Sequence, residues 1–221
     1  MKILELFAGS RSMGKEAEKR GHEVFSVDID PFEYIDLIQD IEHLGIEQIP
    51  FIPDVIWASP PCTSYTIAAI SHHRNGVIPK SDFAEKSDRV VQRMWEIIDY
   101  YRNLNPITSY FVENPRGMFR KMPFVKDRPR TTISYCQYGD MRMKPTDIFT
   151  NALGFWKPKE MCRNYKFDKE GNVIDRHCHH QIARRGMPTG TQGLKGNYER
   201  SKIPPKLMIE IIEACEGRYE I

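Results

Sequence analysis

ILELFAGSRSMG, residues 3 to 14, reads as a short apolar strand, a tight glycine turn and a helix that begins near Ser12 or Met13. A strand that turns through glycine into a helix aims backbone N–H groups at the helix start, which is how α/β proteins cradle a nucleotide. Only Gly9 and Gly14 remain of the denser GxGxxG spacing, so the stretch gains its meaning from the strand that comes after it. Val24 to Val27 form this second apolar strand, which stops at Asp28, about 20 residues after the turn, where a carboxylate can accept bonds from ribose hydroxyls. Asp28 equally suits a helix N-cap ahead of Pro31, and the ribose reading is preferred. Asp40 ends another apolar pattern, at a place suited to an adenine amino group and almost as well to a surface acid.

The next strand carries a candidate nucleophile. In PDVIWASPPCTSYT, residues 53 to 66, Asp54 to Trp57 read as a buried parallel strand, and ligands of open α/β sheets sit outside the carboxyl ends of such strands. Pro60 and Pro61 stiffen the approach to Cys62, which would face that crevice. A buried structural thiol beside a turn is the alternative. In SYFVENPRG, residues 109 to 117, Ser109 to Val112 are rich in β-formers, and Glu113 and Asn114 follow at the strand's end. Thiol and carboxyl would then share one site, with Asn114 orienting the glutamate. Pro115 and Gly117 also permit a plain turn there.

A chain of 221 residues has room for one sizeable α/β core with a small appendage. The expected division is a catalytic domain over 1–150, a short irregular region over 151–200 and a terminal helix over 201–221 that packs back on the first. Five scattered cysteines, an odd number, argue for a reducing cytoplasmic setting rather than a disulfide scaffold. No apolar run approaches the roughly 20 residues that span a bilayer, and residues 1 to 30 lack a basic-then-apolar leader. Net charge is only +2, yet residues 1 to 60 carry −7 and residues 61 to 221 carry +9. Basic clusters such as Arg116, Arg120, Lys121 and Lys126, and later Arg184, Arg185 and Lys195, suit phosphate contacts, although a solvated face is the usual fate of isolated charges.

Residues 82 to 104 place Val90, Val91, Met94, Ile97, Ile98 and Tyr101 at helical spacing and predict a long covering helix. The preceding segment, 63 to 81, holds His72, His73 and Arg74 and is long enough to close over a bound base as a lid. Ile203 to Cys215 predict a terminal helix opened by Pro204 and Pro205. From 151 to 200 periodicity fails, and Cys162, His177, Cys178, His179 and His180 gather there. Their spacing contains no CxxC pair, so a metal-free segment is favoured over a zinc site.

Taken together these motifs resemble the DNA (cytosine-5) methyltransferases, most closely the compact phage-type members. ELFAG resembles the family's cofactor loop, VDID its ribose-binding strand end, QDI its adenine-contacting segment, SPPC its catalytic loop, ENP its Glu-Asn-Val, and IPPKLMIEII its last motif. The resemblance implies a Rossmann-like, S-adenosylmethionine-dependent methyltransferase fold with a small target-recognition appendage. It implies cofactor contacts from Phe7, Ala8, Gly9, Asp28, Ile29, Asp40 and Pro60, and catalysis by Cys62 and Glu113 with Asn114, Arg142 and Lys144. Arg142 and Lys144 stand roughly where the family carries paired arginines, and phosphate contacts or a solvated face remain open for them. The chain departs from the pattern at Ser10, Arg11 and Ser12 in the cofactor loop, at Pro115 after Glu-Asn, in lacking Gln-x-Arg-x-Arg, and in echoing the final asparagine motif only at Gly196 and Asn197.

The implied reaction is transfer of a methyl group to carbon 5 of a flipped-out cytosine in DNA through a covalent Cys62 adduct. Modification of RNA or a free pyrimidine nucleotide by the same chemistry, or a catalytically silent nucleic-acid-binding module, are the alternatives. DNA is the expected partner, with a restriction endonuclease or another phage or host protein as an associate and a monomer as the working unit. The short 151–200 region implies a brief recognition sequence, relaxed specificity or help from a partner.

Overall fold

The computed structural model describes residues 1–67, 69–162, 165–170, 173–176, 178–180, 194 and 197–219. In chain order its strands are β1 (Lys2–Leu6), β2 (Glu23–Asp28), β3 (Leu37–Ile38), β4 (Val55–Ala58), β5 (Arg74–Asn75), β6 (Ile78–Pro79), β7 (Ser109–Pro115), β8 (Arg130–Ser134), β9 (Pro145–Thr150), β10 (Tyr165–Phe167) and β11 (Val173–Arg176). The helices are α1 (Ser12–Lys19), α2 (Ile70–His73), α3 (Asp82–Leu104), α4 (Asn197–Ser201) and α5 (Pro205–Tyr219).

Seven strands make one sheet in the order β3-β2-β1-β4-β7-β9-β8. The first five run parallel, and β9 pairs antiparallel with both β7 and β8. Parallel strands covered on both faces must be apolar on both, which is why VIWA of β4 is buried at every position. On one face Leu4, Leu6, Ile56, Ala58, Tyr110 and Val112 pack against α3. Ile3, Val55, Trp57 and Phe111 on the other face meet Met13 and Ala17 of α1 and Leu207, Met208, Ile211, Ile212 and Cys215 of α5.

Helix α3 spans the residues its periodicity predicts, opened by Ser81, whose hydroxyl accepts the Ala84 N–H, with Asp82 and Glu85 in the first turn. Helix α5 starts at Pro205, where the missing N–H of proline costs nothing. It is tied to the end of α1 by Arg20 and His22, whose side chains reach Glu216 at 2.6 and 2.7 Å. No helix among the described residues is long and apolar enough to cross a membrane.

Two expectations are corrected here. Strand β7 does not stop at Val112 but runs to Pro115, because β9 pairs with Glu113, Asn114 and Pro115 after β4 has ended at Ala58. Glu113 and Asn114 are therefore strand residues, not a turn. Segment 63–81 is not an open loop either. It folds into a short 3-10 turn (Thr63–Tyr65), α2 and the β5-β6 hairpin, and Arg74 fastens it to α3. The Arg74 guanidinium is 3% exposed, donates to the Ser64 and Ala84 carbonyls and the Asp88 carboxylate, and lies 4.4 Å from the Tyr65 ring centre.

Candidate active site

Strand order reverses at β1, with β2 on one side and β4 on the other, so a crevice opens beyond their carboxyl ends. The chain leaves β1 through Phe7, Ala8, Gly9, Ser10 and Arg11. Three of these residues, Phe7 (φ 55°), Gly9 (φ 47°) and Arg11 (φ 53°), are left-handed, a conformation that costs a non-glycine residue energy and needs fixing from outside.

Glu5, a residue singled out by no sequence argument beyond its place in ELFAG, does that fixing. Its carboxylate is 1% exposed and accepts the N–H groups of Met13 at 3.0 Å and Gly14 at 3.1 Å and the Ser26 hydroxyl at 3.2 Å. The first turn of α1 thus finds acceptors for N–H groups that have none inside the helix. Burial pushes the Glu5 carboxyl up to about 7, against the lowering effect of the Gly14 and Met13 N–H groups, Arg11 and Ser26. A Cβ on Gly14 would lie 2.6 Å from Glu5 Oε2, so a larger residue there would push that carboxylate off the helix start. Arg11 folds inward onto the Ser26 hydroxyl at 3.0 Å and the Glu18 carboxylate, and so fills a place where the family pattern prefers glycine. The legible signal was an acid inside an otherwise apolar strand.

Asp28 ends β2 with no helix after it, which removes the N-cap reading. Its Oδ2 accepts the Gly9 N–H at 2.8 Å and its Oδ1 the Asp30 N–H at 2.9 Å. Burial raises its pKa, opposed by those N–H bonds. Each carboxylate oxygen has a second lone pair for a ligand hydroxyl. Ala8 sits beside this carboxylate, its N–H on the Val27 carbonyl at 3.1 Å, and Ile29 just beyond is 55% exposed. Asp40 caps the 3-10 turn Ile41–His43 through the Glu42 N–H at 3.0 Å and pairs with Lys86 at 2.8 Å. Its pKa lies below the ordinary value because these partners outweigh its desolvation. The adenine assignment for Asp40 thus rests on position and not on a spare carboxylate.

Cys62 stands at the end of the Pro60-Pro61 approach, half-buried, with its carbonyl accepting the N–H groups of Tyr65 at 2.9 Å and Thr66 at 3.0 Å. Two links join this loop to the extension of β7. The Asn114 amide donates to the Pro60 carbonyl at 3.2 Å, and the Met118 N–H donates to the Tyr65 carbonyl at 2.8 Å. Gly117 makes the second link fit, because a Cβ there would stand 2.6 Å from the Tyr65 carbonyl oxygen. Asn114 Oδ1 is buried and accepts no bond among the described residues.

Glu113, 5% exposed, faces the opposite side of the sheet from Asn114. Its Oε1 accepts the Tyr135 hydroxyl at 2.7 Å and lies 3.6 Å from Lys144 Nζ. Burial, with the adjacent Glu113 charge, lifts the Tyr135 phenol well above its ordinary range, so it stays a proton donor. Lys144 reaches this point from a left-handed backbone (φ 24°), with its ammonium 4.5 Å from the Tyr135 ring centre. Tyr135 is a site residue that sequence reasoning missed. It follows a five-residue strand, β8, and only antiparallel pairing with β9 carries it to Glu113.

No protein-family profile matches the chain. A probable DNA (cytosine-5)-methyltransferase of Frog virus 3 (isolate Goorha) is 30% identical to it over 228 residues, covering 97% of this chain and all of the viral protein. The chain belongs to the DNA (cytosine-5) methyltransferase family. The Entamoeba histolytica methyltransferase EhMeth shares the fold, with a TM-score of 0.60 at 12% identity over 99% of this chain and 98% of that one. The sheet and its helices are thus those of a Rossmann-like methyltransferase.

In this family member Arg142 does not extend toward solvent. It is 7% exposed, with its guanidinium on the Asp140 carboxylate at 2.5 Å and the Lys202 carbonyl at 2.9 Å and its carbon 5.5 Å from the Tyr135 ring centre. The structure thus brings Glu113, Tyr135, Lys144 and Arg142 together around one phenol, and removes the solvated-face reading of Arg142. Of the faint asparagine motif, Gly196 lies outside the described residues, as do His177, Arg184, Arg185 and Lys195.

Proposed function

We propose that this chain transfers a methyl group to carbon 5 of cytosine in DNA, with Cys62 as the nucleophile and Glu113 as the group that holds ring nitrogen 3. The reading is carried above all by one observation: the loop bearing Cys62 and the strand bearing Glu113 are pinned together by Asn114 to Pro60 and by Met118 to Tyr65. Base and thiol need a fixed separation for attack, and two links across the gap provide it.

The donor set suits S-adenosylmethionine. The Phe7–Gly9 turn, left-handed at Phe7 and Gly9, offers backbone, Asp28 offers carboxylate lone pairs for hydroxyls, and Ile29, Asp40 and Pro60 are assigned to the cofactor by their place in the family pattern. Bound there, S-adenosylmethionine supplies the electrophilic methyl. The thiolate of Cys62 forms a bond to carbon 6 of the flipped-out ring while Glu113 delivers a proton or hydrogen bond to nitrogen 3, and the displaced electron pair comes to carbon 5. Tyr135 and Lys144 hold Glu113 against that nitrogen. After methylation the carbon-5 proton leaves to a base, its bonding pair restores the double bond as the Cys62 thiolate departs, and nitrogen 3 returns its proton to Glu113. Asn114 keeps the proline loop in register throughout, while Arg142 fixes the floor under Tyr135. A nearby cation raises the thiolate fraction of an ordinary thiol, which is only a few per cent ionised at neutral pH.

Region 151–200 is read as the target-recognition segment, with β10 and β11 among its described residues, and a restriction endonuclease or another phage or host protein as the associate of a monomeric enzyme. The experiment offers labelled S-adenosylmethionine with duplex DNA, single-stranded DNA, RNA and dCTP in parallel and locates the methyl group. Label at carbon 5 of cytosine in duplex DNA, lost in Cys62→Ala, is the expected result. Label on an exocyclic amine, or in RNA or dCTP alone, overturns the reading.

A further inference from the structure

Three cysteines and a histidine from separate parts of the chain converge beside the candidate site. The sulfurs of Cys136, Cys162 and Cys178 and a ring nitrogen of His180 all lie within 4.8 Å of one another. Cys136 belongs to the 3-10 turn Tyr135–Tyr138 that follows β8, while Cys178 and His180 follow the β10-β11 hairpin. Donors on a tetrahedral zinc, with bonds of about 2.3 Å to sulfur and about 2.0 Å to nitrogen, stand roughly 3.5 to 3.8 Å apart. The Cys162 Sγ to His180 Nδ1 separation is already 3.7 Å.

We propose that Cys136, Cys162, Cys178 and His180 bind one structural zinc ion that staples the 151–200 segment to the catalytic core. Three thiolates and an imidazole are a borderline-soft set that suits zinc, and four protein donors leave no open position, which makes the site structural and not catalytic. Burial favours it too, with Cys136, Cys162 and His180 at 2, 6 and 7% exposed. The surroundings are those of ligands held in place. The Cys162 N–H donates to the Ser134 hydroxyl at 3.2 Å, the Gln137 amide lies 4.0 Å from Cys178 Sγ, and His179 turns away to the Asp140 carbonyl at 3.1 Å.

Zinc binding would release the thiol protons to solvent and turn three crowded sulfurs into ligands. The sequence concealed this site because its fourth donor, Cys136, lies in the catalytic core, outside the Cys162 to His180 cluster. Cys136 is also the neighbour of Tyr135, so the ion would brace the turn that holds Glu113.

The test is elemental analysis of the full chain purified under reducing conditions, together with the spectrum of the cobalt-exchanged protein, neither of which depends on methyl transfer. The expected result is about one zinc per chain. Cys136→Ser and Cys178→Ser should lose it, and Cys215→Ser, which alters a buried thiol outside the cluster, should keep it. Cobalt in the unaltered chain should show tetrahedral bands with thiolate charge transfer, a readout that stands even where a variant fails to fold. Less than about a tenth of an equivalent of zinc with no tetrahedral cobalt spectrum overturns the proposal. So does zinc retained in both serine variants, or iron or copper found in its place.

Discussion

Gly117→Ala is a one-carbon perturbation aimed at the contact that sets Cys62 against Glu113. The added Cβ would lie 2.6 Å from the Tyr65 carbonyl oxygen, where ordinary contact begins roughly 0.8 Å further out. Neither side can yield by rotating a side chain, since the obstacle is backbone. The two segments must therefore part by about that distance, which weakens the Met118 to Tyr65 hydrogen bond now at 2.8 Å. Overpacking of this kind costs about 1 to 3 kcal/mol, or roughly 2 to 10 °C in Tm for a chain of this size. A misplacement near 1 Å costs up to about 100-fold in rate, so kcat for methyl transfer to duplex DNA should fall on the order of 10- to 100-fold. Binding of S-adenosylmethionine, measured by calorimetry, should be unchanged because the Phe7–Arg11 turn is not touched. Gly154→Ala, whose Cβ meets nothing within 4 Å, is the control and should match the parent in both assays. A Gly117→Ala enzyme that turns over within about 2-fold of the parent would refute the claim that this approach positions the thiol.

Tyr135→Phe removes the hydroxyl that donates to Glu113 at 2.7 Å while keeping the ring between Lys144 and Arg142. Loss of a hydrogen bond to a charged group, about 1.5 to 3 kcal/mol, should lower kcat roughly 10- to 100-fold with KM for DNA little changed, and steady-state kinetics showing only a KM effect would count against it. Glu5 predicts a pH dependence of stability. A carboxyl raised from 4.5 to about 7 by burial holds its proton more tightly folded than unfolded, so its contribution is whole below about pH 4.5 and is lost as pH rises through 7. Denaturant titrations from pH 4.5 to 8 should show the parent losing up to roughly 3 kcal/mol relative to Glu5→Gln, and parallel curves would contradict the buried-carboxyl account.

Much of the fold was legible because parallel strands covered on both faces leave apolar runs, as at Val55–Ala58, and because α3 writes its buried stripe at helical spacing. The strand-tip acids and the Pro-Pro-Cys loop were legible for the same reason, since each interrupts an apolar run at a definite place. What escaped depends on partners far apart in sequence. Strand β7 gains three residues only from β9, Tyr135 meets Glu113 only through the β8-β9 pair, and Arg74 leaves solvent only because Asp88 and two carbonyls await it on α3 and the adjoining turn. Cys136 joins its sulfur neighbours by the same route. No local pattern at RTTIS or PTDIFT announces such pairings, since strand preference reflects the surface a residue packs on more than the residue itself.

The central claim is that the Cys62 sulfur bonds covalently to a cytosine held by Glu113. Duplex DNA bearing 5-fluorocytosine at the methylated position tests it directly, because fluorine cannot leave carbon 5 as a proton does and the adduct cannot resolve. Incubated with S-adenosylmethionine, the protein should form a complex that survives denaturation, with the DNA mapped by mass spectrometry to the peptide containing Cys62, and Cys62→Ser should form none. An active enzyme that yields no such complex, or one joined through a different residue, would contradict the account.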